Sequence, residues 1–163
     1  MNTIPPVRKK VTVAVSADHA FRVFTEGVDR WWPRQHHIGK SPLARAVMEP
    51  RLGGRWYGIS EDGSECDTGT VLAWDPPRRV VLSWQITAQW EFDPNLITEV
   101  EVTFTSLGPK ETVVVLEHRN LERYGDGAVE LRKNIDSEGG WGLIMKSFVA
   151  ASEADEQSPA VGV

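Results

Sequence analysis

The chain has 163 residues, 40% hydrophobic and 25% charged, which suits one globular domain with a single substantial core. A formal net charge of -5 argues against nucleic acid as the main partner, because phosphate binding needs clustered Lys and Arg. A single cysteine, Cys66, excludes an internal disulfide, and no apolar run approaches the roughly 18 residues of a membrane span.

The start "MNTIPPVRKKV" has no apolar signal-peptide core, so a soluble cytoplasmic protein is expected. "KKVTVAV" alternates Val11, Val13 and Val15 with polar or small residues and predicts a strand. Ser16 is placed to cap a helix over "SADHAFRVFTEG", with Ala20, Phe21 and Phe24 at helical spacing and a stop at Gly27. "VDRWWP" predicts a second short helix, capped by Asp29 and ended by Pro33. The loop that follows, "RQHHIGKSP", is expected to act as a lid. Its adjacent His36 and His37 point to opposite sides of an extended backbone, and their spacing fits no metal site.

From residue 43 onward turn signals recur every eight to twelve residues: Gly53-Gly54, Asp62-Gly63, Pro76-Pro77, Asp93-Pro94 and Gly108-Pro109. They separate runs rich in Val, Thr, Ile and Trp, which predicts an antiparallel meander of about six strands. Within each run the charged parity must face water, since burying charges costs several kcal/mol. That rule turns Glu111, Glu117 and Arg119 outward and Thr112, Val114, Leu116 and His118 inward. It turns Arg79, Ser83 and Gln85 outward and Val80, Leu82, Trp84 and Ile86 inward. Val100, Val102 and Phe104 face in opposite Glu99 and Glu101. Keeping Asp67 and Asp75 in water sends Cys66, Thr68, Thr70, Leu72 and Trp74 inward, and an outward Arg55 sends Trp56 inward. Glu49 and Arg51 are expected to pair. A helix is expected from about Asp126 to Ala151, with Val129, Leu131, Ile135, Trp141, Ile144, Met145 and Phe148 on its apolar side and a break near Gly139, Gly140 and Gly142. The polar end, residues 152–163, is expected to be a disordered tail after a domain spanning residues 1–151.

"EPRLGGRWYGISEDGSE", "GTVLAWDPPRRVVLSWQI", "TEVEVTF", "TVVVLEHRNL" and "GGWGLIMKSFV", in that order, resemble the START-like superfamily known as SRPBCC. More narrowly, they resemble the branch named after the C-terminal domain of the activator of the heat-shock protein 90 ATPase. The resemblance spans about residues 8 to 150. It implies an α+β helix-grip fold, in which a curved antiparallel sheet of six to seven strands wraps a long C-terminal helix, with two short helices after the first strand. It also implies a cavity between helix and sheet that holds an apolar small molecule. The eukaryotic activator carries a separate N-terminal domain for which this chain leaves no room, so co-chaperone activity does not follow from the likeness.

Seven tryptophans against five phenylalanines and two tyrosines are the unusual count. Burying one indole is worth about 5 kcal/mol as an upper bound, so stability alone would retain them. The inward parity of Trp56, Trp74 and Trp84, opposite the helix that carries Trp141, makes these indoles candidate ligand contacts instead. The expected lining is Trp31, Trp32, Trp56, Thr70, Trp74, Trp84, Phe104, His118, Trp141 and Met145. Trp31 and Trp32 lie about 100° apart if helical, one under the sheet rim and one at the cavity entrance. No catalytic residue, cofactor or metal is expected. The leading functional expectation is binding, carrying or sensing of an apolar, aromatic small molecule. A polyketide cyclase-type or hydrolase-type enzyme would use the same cavity, with His118 as base and Thr70 or Thr112 orienting substrate. A co-chaperone-like module would use Val113 and Val115 on the outer face. A homodimer and a chaperone partner stay open.

Overall fold

The computed structural model describes residues 4–34, 36 and 40–157. Strand β1 (Val7–Val13) leads into helices α1 (Ala17–Phe24) and α2 (Val28–Trp31). Six strands follow: β2 (Leu43–Met48), β3 (Arg55–Ser60), β4 (Glu65–Asp75), β5 (Arg79–Trp84), β6 (Thr98–Gly108) and β7 (Glu111–Arg119). A 3-10 segment (Leu121–Gly127) then opens onto α3 (Ala128–Asp136), a wide turn (Glu138–Gly142) and α4 (Leu143–Gln157). The seven strands form one antiparallel sheet in the order β1-β7-β6-β5-β4-β3-β2, curled around α4 as a helix-grip fold.

Ser16 caps α1 as expected, its Oγ accepting from the His19 amide at 3.1 Å. The cap of α2 is Gly27, not Asp29. The Asp29 carboxylate instead accepts from the Ala46 amide at 2.8 Å and pairs with Arg34, which ties α2 to β2. Helix α4 rests against β1, α1 and α2. Phe148 fills the junction with Phe24 and Trp31, all edge-on or tilted at centroid distances of 5.0 to 5.4 Å.

The inward parity holds across β5, β6 and β7, where Val80, Leu82, Val100, Val102, Val114, Leu116 and His118 are fully buried, but β5 is buried on its other parity as well, at Val81 and Ser83. Their outer neighbours form a charged ladder: Arg119 bonds Glu99 and Glu101, and Arg79 bonds Glu101. Ser83 and Gln85 depart from it, for both are buried. Their polar groups are satisfied locally: Ser83 Oγ accepts from the Thr70 amide and donates to Gln85 Oε1, and Gln85 donates to the Pro94 carbonyl. Burying them therefore carries little penalty.

Strand β4 corrects the expectation more strongly. Its pairing slips twice, against β3 after the Trp56–Gly69 pair and against β5 after the Val71–Leu82 pair, so Thr68 and Leu72 are bulged residues. Each bulge resets which side chains face the core. Val71 is 1% exposed and Leu72 41%, the reverse of the alternating pattern. Gly69 has a reason to be glycine here: a Cβ would sit 1.9 Å from the Ser83 carbonyl oxygen, where β4 bends over β5.

The C-terminal helix is two helices. Gly140 (φ -93°, ψ -122°) leaves helical geometry, and a Cβ there would come within 2.5 Å of the Ile135 carbonyl oxygen. Val129, expected on the apolar side, is 57% exposed. Helix α4 continues through Gln157 with Ser152 buried, so the expected tail begins as helix, and residues 158–163 lie outside the described residues.

Candidate functional site

The concave face, α3 and the wide turn enclose a cavity of about 500 Å³, within the range of drug-sized ligand sites. Its main wall is aromatic. Trp32 extends from the end of α2, Trp56 from β3, Trp84 from β5 and Trp141 from the turn before α4. The four indoles form a closed ring. Centroids are 5.7 Å apart for Trp32–Trp56, 5.6 Å for Trp56–Trp84, 5.6 Å for Trp84–Trp141 and 6.3 Å for Trp141–Trp32. Each pair is edge-on or tilted, the arrangement that the aromatic quadrupole favours over face-to-face stacking.

His118 stands behind this ring, fully buried and outside the cavity wall. Its surroundings fix its tautomer. The Thr98 hydroxyl donates to the Trp84 carbonyl at 2.8 Å, so at 2.9 Å it accepts from His118 Nε2. His118 Nδ1 in turn accepts from the Trp141 indole N–H at 3.1 Å. Both ring nitrogens are used. Burial holds the imidazole neutral, its pKa pushed down to about 3. The group is a hub that orients two of the four indoles, since Thr98 also grips the Trp84 backbone.

Of the expected lining, Trp32, Trp56, Trp84 and Trp141 reach the cavity. The others do not. Trp31 is core, donating to the Val23 carbonyl at 2.7 Å. Phe104 and Trp74 pack on Phe21 at 5.2 and 5.1 Å. Met145 is buried in the main core cluster. Thr70 is taken out by the β4 bulges, its amide bonded to Ser83. Thr112, the alternative orienting hydroxyl, is buried and donates to the Val15 carbonyl at 2.8 Å. The expected Glu49–Arg51 pair is present at 3.1 Å, and Glu49 also accepts from the Arg55 amide.

Sequence reasoning missed several lining residues. Leu43 and Ala46 come from β2 and Tyr57 and Ser60 from β3, while Cys66 and Thr68, from the first half of β4, were read as inward but not counted in the lining. Asn134, Ser137 and Gly139 close the helical side. Trp90 sits in the β5–β6 connection, 47% exposed at the cavity, with φ 64° in the left-handed region. Thr87 holds that turn: its amide and carbonyl bond Glu91 and Trp90, and its hydroxyl accepts from the Gln89 and Glu91 amides. Holding a bulky residue at positive φ costs on the order of 1–3 kcal/mol, a pattern that recurs at ligand clamps.

His36 also lines the cavity, while Gln35 and residues 37–39, including His37, lie outside the described residues. The His36 backbone is pinned twice: its amide donates to the Pro33 carbonyl, and its carbonyl accepts from the Trp32 indole N–H at 2.8 Å. Burial lowers the pKa of its ring, opposed by an interaction with the Gly139 backbone. Its Nε2 is buried and has no hydrogen-bond partner. Among the described residues no three His, Cys, Asp or Glu side chains cluster as a metal site, and no helix is long and apolar enough to cross a membrane.

A curled sheet gripping a helix over an indole-walled cavity defines a START-like small-domain architecture. The chain belongs to the Activator of Hsp90 ATPase homolog 1-like protein family, whose family model matches residues 14–153. Two solved structures are similar in sequence as well as in fold. One is an anthrahydroquino-gamma-pyrone synthase, Txn09, complexed with SUM, 39% identical over 92% of this chain and 99% of that one, with a TM-score of 0.64. The other is the self-sacrificing resistance protein CalC from Micromonospora echinospora, 34% identical over 98% and 99%, with a TM-score of 0.70. The Aha1 dimer from Colwellia psychrerythraea shares the fold at 15% identity over 92% and 97%, with a TM-score of 0.60. No protein with a curated description matches the chain.

Proposed function

We propose that this protein binds a planar, largely apolar aromatic small molecule against the tryptophan ring, as a carrier, sensor or sequestering protein. The observation that carries this reading is the closed ring of four indoles facing a cavity of about 500 Å³. Four side chains from four separate elements present π-faces and edges to one space, and such surfaces favour flat aromatic ligands over flexible aliphatic ones. The lone cysteine agrees with action in a reducing compartment, the cytoplasm.

A planar aromatic probe should quench intrinsic tryptophan fluorescence with micromolar affinity, about -8 kcal/mol. Trp84→Ala should weaken that binding by roughly 2 kcal/mol or more, measured on material shown by circular dichroism to be folded. An unchanged affinity in a folded Trp84→Ala protein would reject the site.

A second reading, a cyclase-type enzyme working in the same cavity, draws support from the 39% identity to a pyrone synthase. With both nitrogens of His118 occupied, such a reaction would rely on groups that do line the cavity. Turnover of an aromatic polyketide-like substrate that survives changes at His118 in folded protein would favour it.

A further inference from the structure

One tryptophan stands apart from the rest. Trp90 is the single exposed indole of the chain, at 47%, yet it lines the same cavity as Trp32, Trp56, Trp84 and Trp141. It therefore stands where the cavity meets solvent. Among the described residues its ring touches no other ring and its indole N–H has no acceptor, whereas the other four contact one another. The turn that carries it is firmly held. The Thr87 amide donates to the Glu91 carbonyl at 2.7 Å and the Trp90 amide to the Thr87 carbonyl at 2.9 Å. At the base, the Asp93 amide donates to the Gln85 carbonyl at 2.8 Å and Tyr124 Oη to the Ile86 carbonyl at 2.6 Å. These bonds keep a bulky residue at φ 64°, an unfavourable region that no ring packing within the chain offsets.

We propose that Trp90 is a ligand-binding residue whose indole stacks on the outer end of a bound polycycle and closes the cavity mouth over it. The inference rests on the aromatic-cavity reading and adds the size class of the ligand: three or more fused rings. All five indoles line one cavity, but Trp90 is separated from the other four. A small aromatic lodged against the closed ring leaves Trp90 unused, while an extended fused system reaches both. Stacking on a π-face is tolerant of substituents, so Trp90 selects for ring extent over ring decoration. A tip already fixed by hydrogen bonds loses little freedom on binding, so the contact goes into affinity, chiefly by slowing dissociation.

The test uses two probes carrying the same hydroxyl, 2-naphthol with two fused rings and 2-hydroxyanthraquinone with three, titrated calorimetrically against the full chain. Trp90→Asn removes the indole but suits the turn, because asparagine readily takes positive φ. In that variant 2-hydroxyanthraquinone should bind about tenfold more weakly, while 2-naphthol should change by less than about twofold. Trp90→Phe should recover most of the loss. Hydroxyl-radical footprinting should mark Trp90 in the free protein and spare it in the 2-hydroxyanthraquinone complex, a protection that a merely structural residue would not show. Undiminished binding of 2-hydroxyanthraquinone in Trp90→Asn, beside a loss in Trp84→Ala, would keep the cavity reading and overturn the role of Trp90. An equal loss for both probes, no recovery in Trp90→Phe, or an unprotected Trp90 in the complex would overturn it as well. Failure of both probes to bind the unaltered protein would reject the cavity reading together with this one.

Discussion

At the scale of single residues, His118 links the aromatic ring to pH. Its folded pKa lies near 3, below the ordinary histidine value of 6.5, because burial disfavours the charged ring. Between those values the unfolded chain binds a proton that the native chain does not, so stability is intact above about pH 6.5 and falls as the pH drops toward 3. The expected loss from this group is about 2 kcal/mol between pH 7 and pH 5, read by urea unfolding at each pH. His118→Gln should be less stable at pH 7 but should lack that slope; an unchanged slope would assign it to other groups. His118 was legible in sequence because its strand carries Glu111, Glu117 and Arg119 on the opposite parity. Its role as an indole-orienting hub was not. That depends on Thr98 and Trp141, 20 and 23 positions away, and no periodicity relates the three. His36 was legible only as a loop residue at the pocket mouth, and Trp90 not at all: both sit on connections, where side-chain direction follows individual turn hydrogen bonds instead of a repeat.

At the scale of elements, regular strands could be read and bulged ones could not. Strands β5 to β7 pair residue for residue from Trp84 to Arg79 and from Val100 to Ser106, so the inward parity stays valid along each strand, although β5 is buried on its outer side too. Strand β4 breaks that logic at Thr68 and Leu72, and the error passed into the expected lining through Thr70. The glycines of the wide turn offer a cleaner test of local geometry. Gly140→Ala would press a methyl against the Ile135 backbone, which is part of α3 and cannot easily give, and should cost about 3 kcal/mol. Gly139→Ala meets nothing within 4 Å and should leave stability unchanged or raise it by up to about 1 kcal/mol. Thermal melts of the two variants should therefore separate widely despite adjacent positions. Equal melting temperatures would mean that the turn relaxes freely.

At the scale of the whole molecule, the fold class was readable because the order of strands, turns and helices is shared across the family, and 34% to 39% identity to two solved structures spans nearly the full chain. The ligand is a different matter, since one architecture carries several chemistries and the choice among them rests on a few lining groups. The sheet order itself has a consequence for how the chain comes to be folded. Strands β2 to β7 each pair with the strand just before or after them, but among the described residues the sole sheet neighbour of β1 is β7, about a hundred residues further along the chain. During synthesis the first strand therefore emerges with its apolar side chains uncovered, and its docking site is completed only when residues 112–118 have left the ribosome. The meander, built from short loops, is expected to organise first, with β1 and α4 closing over it last. Core truncations such as Val13→Ala in β1 should then mainly speed unfolding, with φ-values near zero, while Val102→Ala in β6 should slow refolding. A high φ-value in β1 would show instead that the chain spans that long loop early, and that its ends meet before its middle is built.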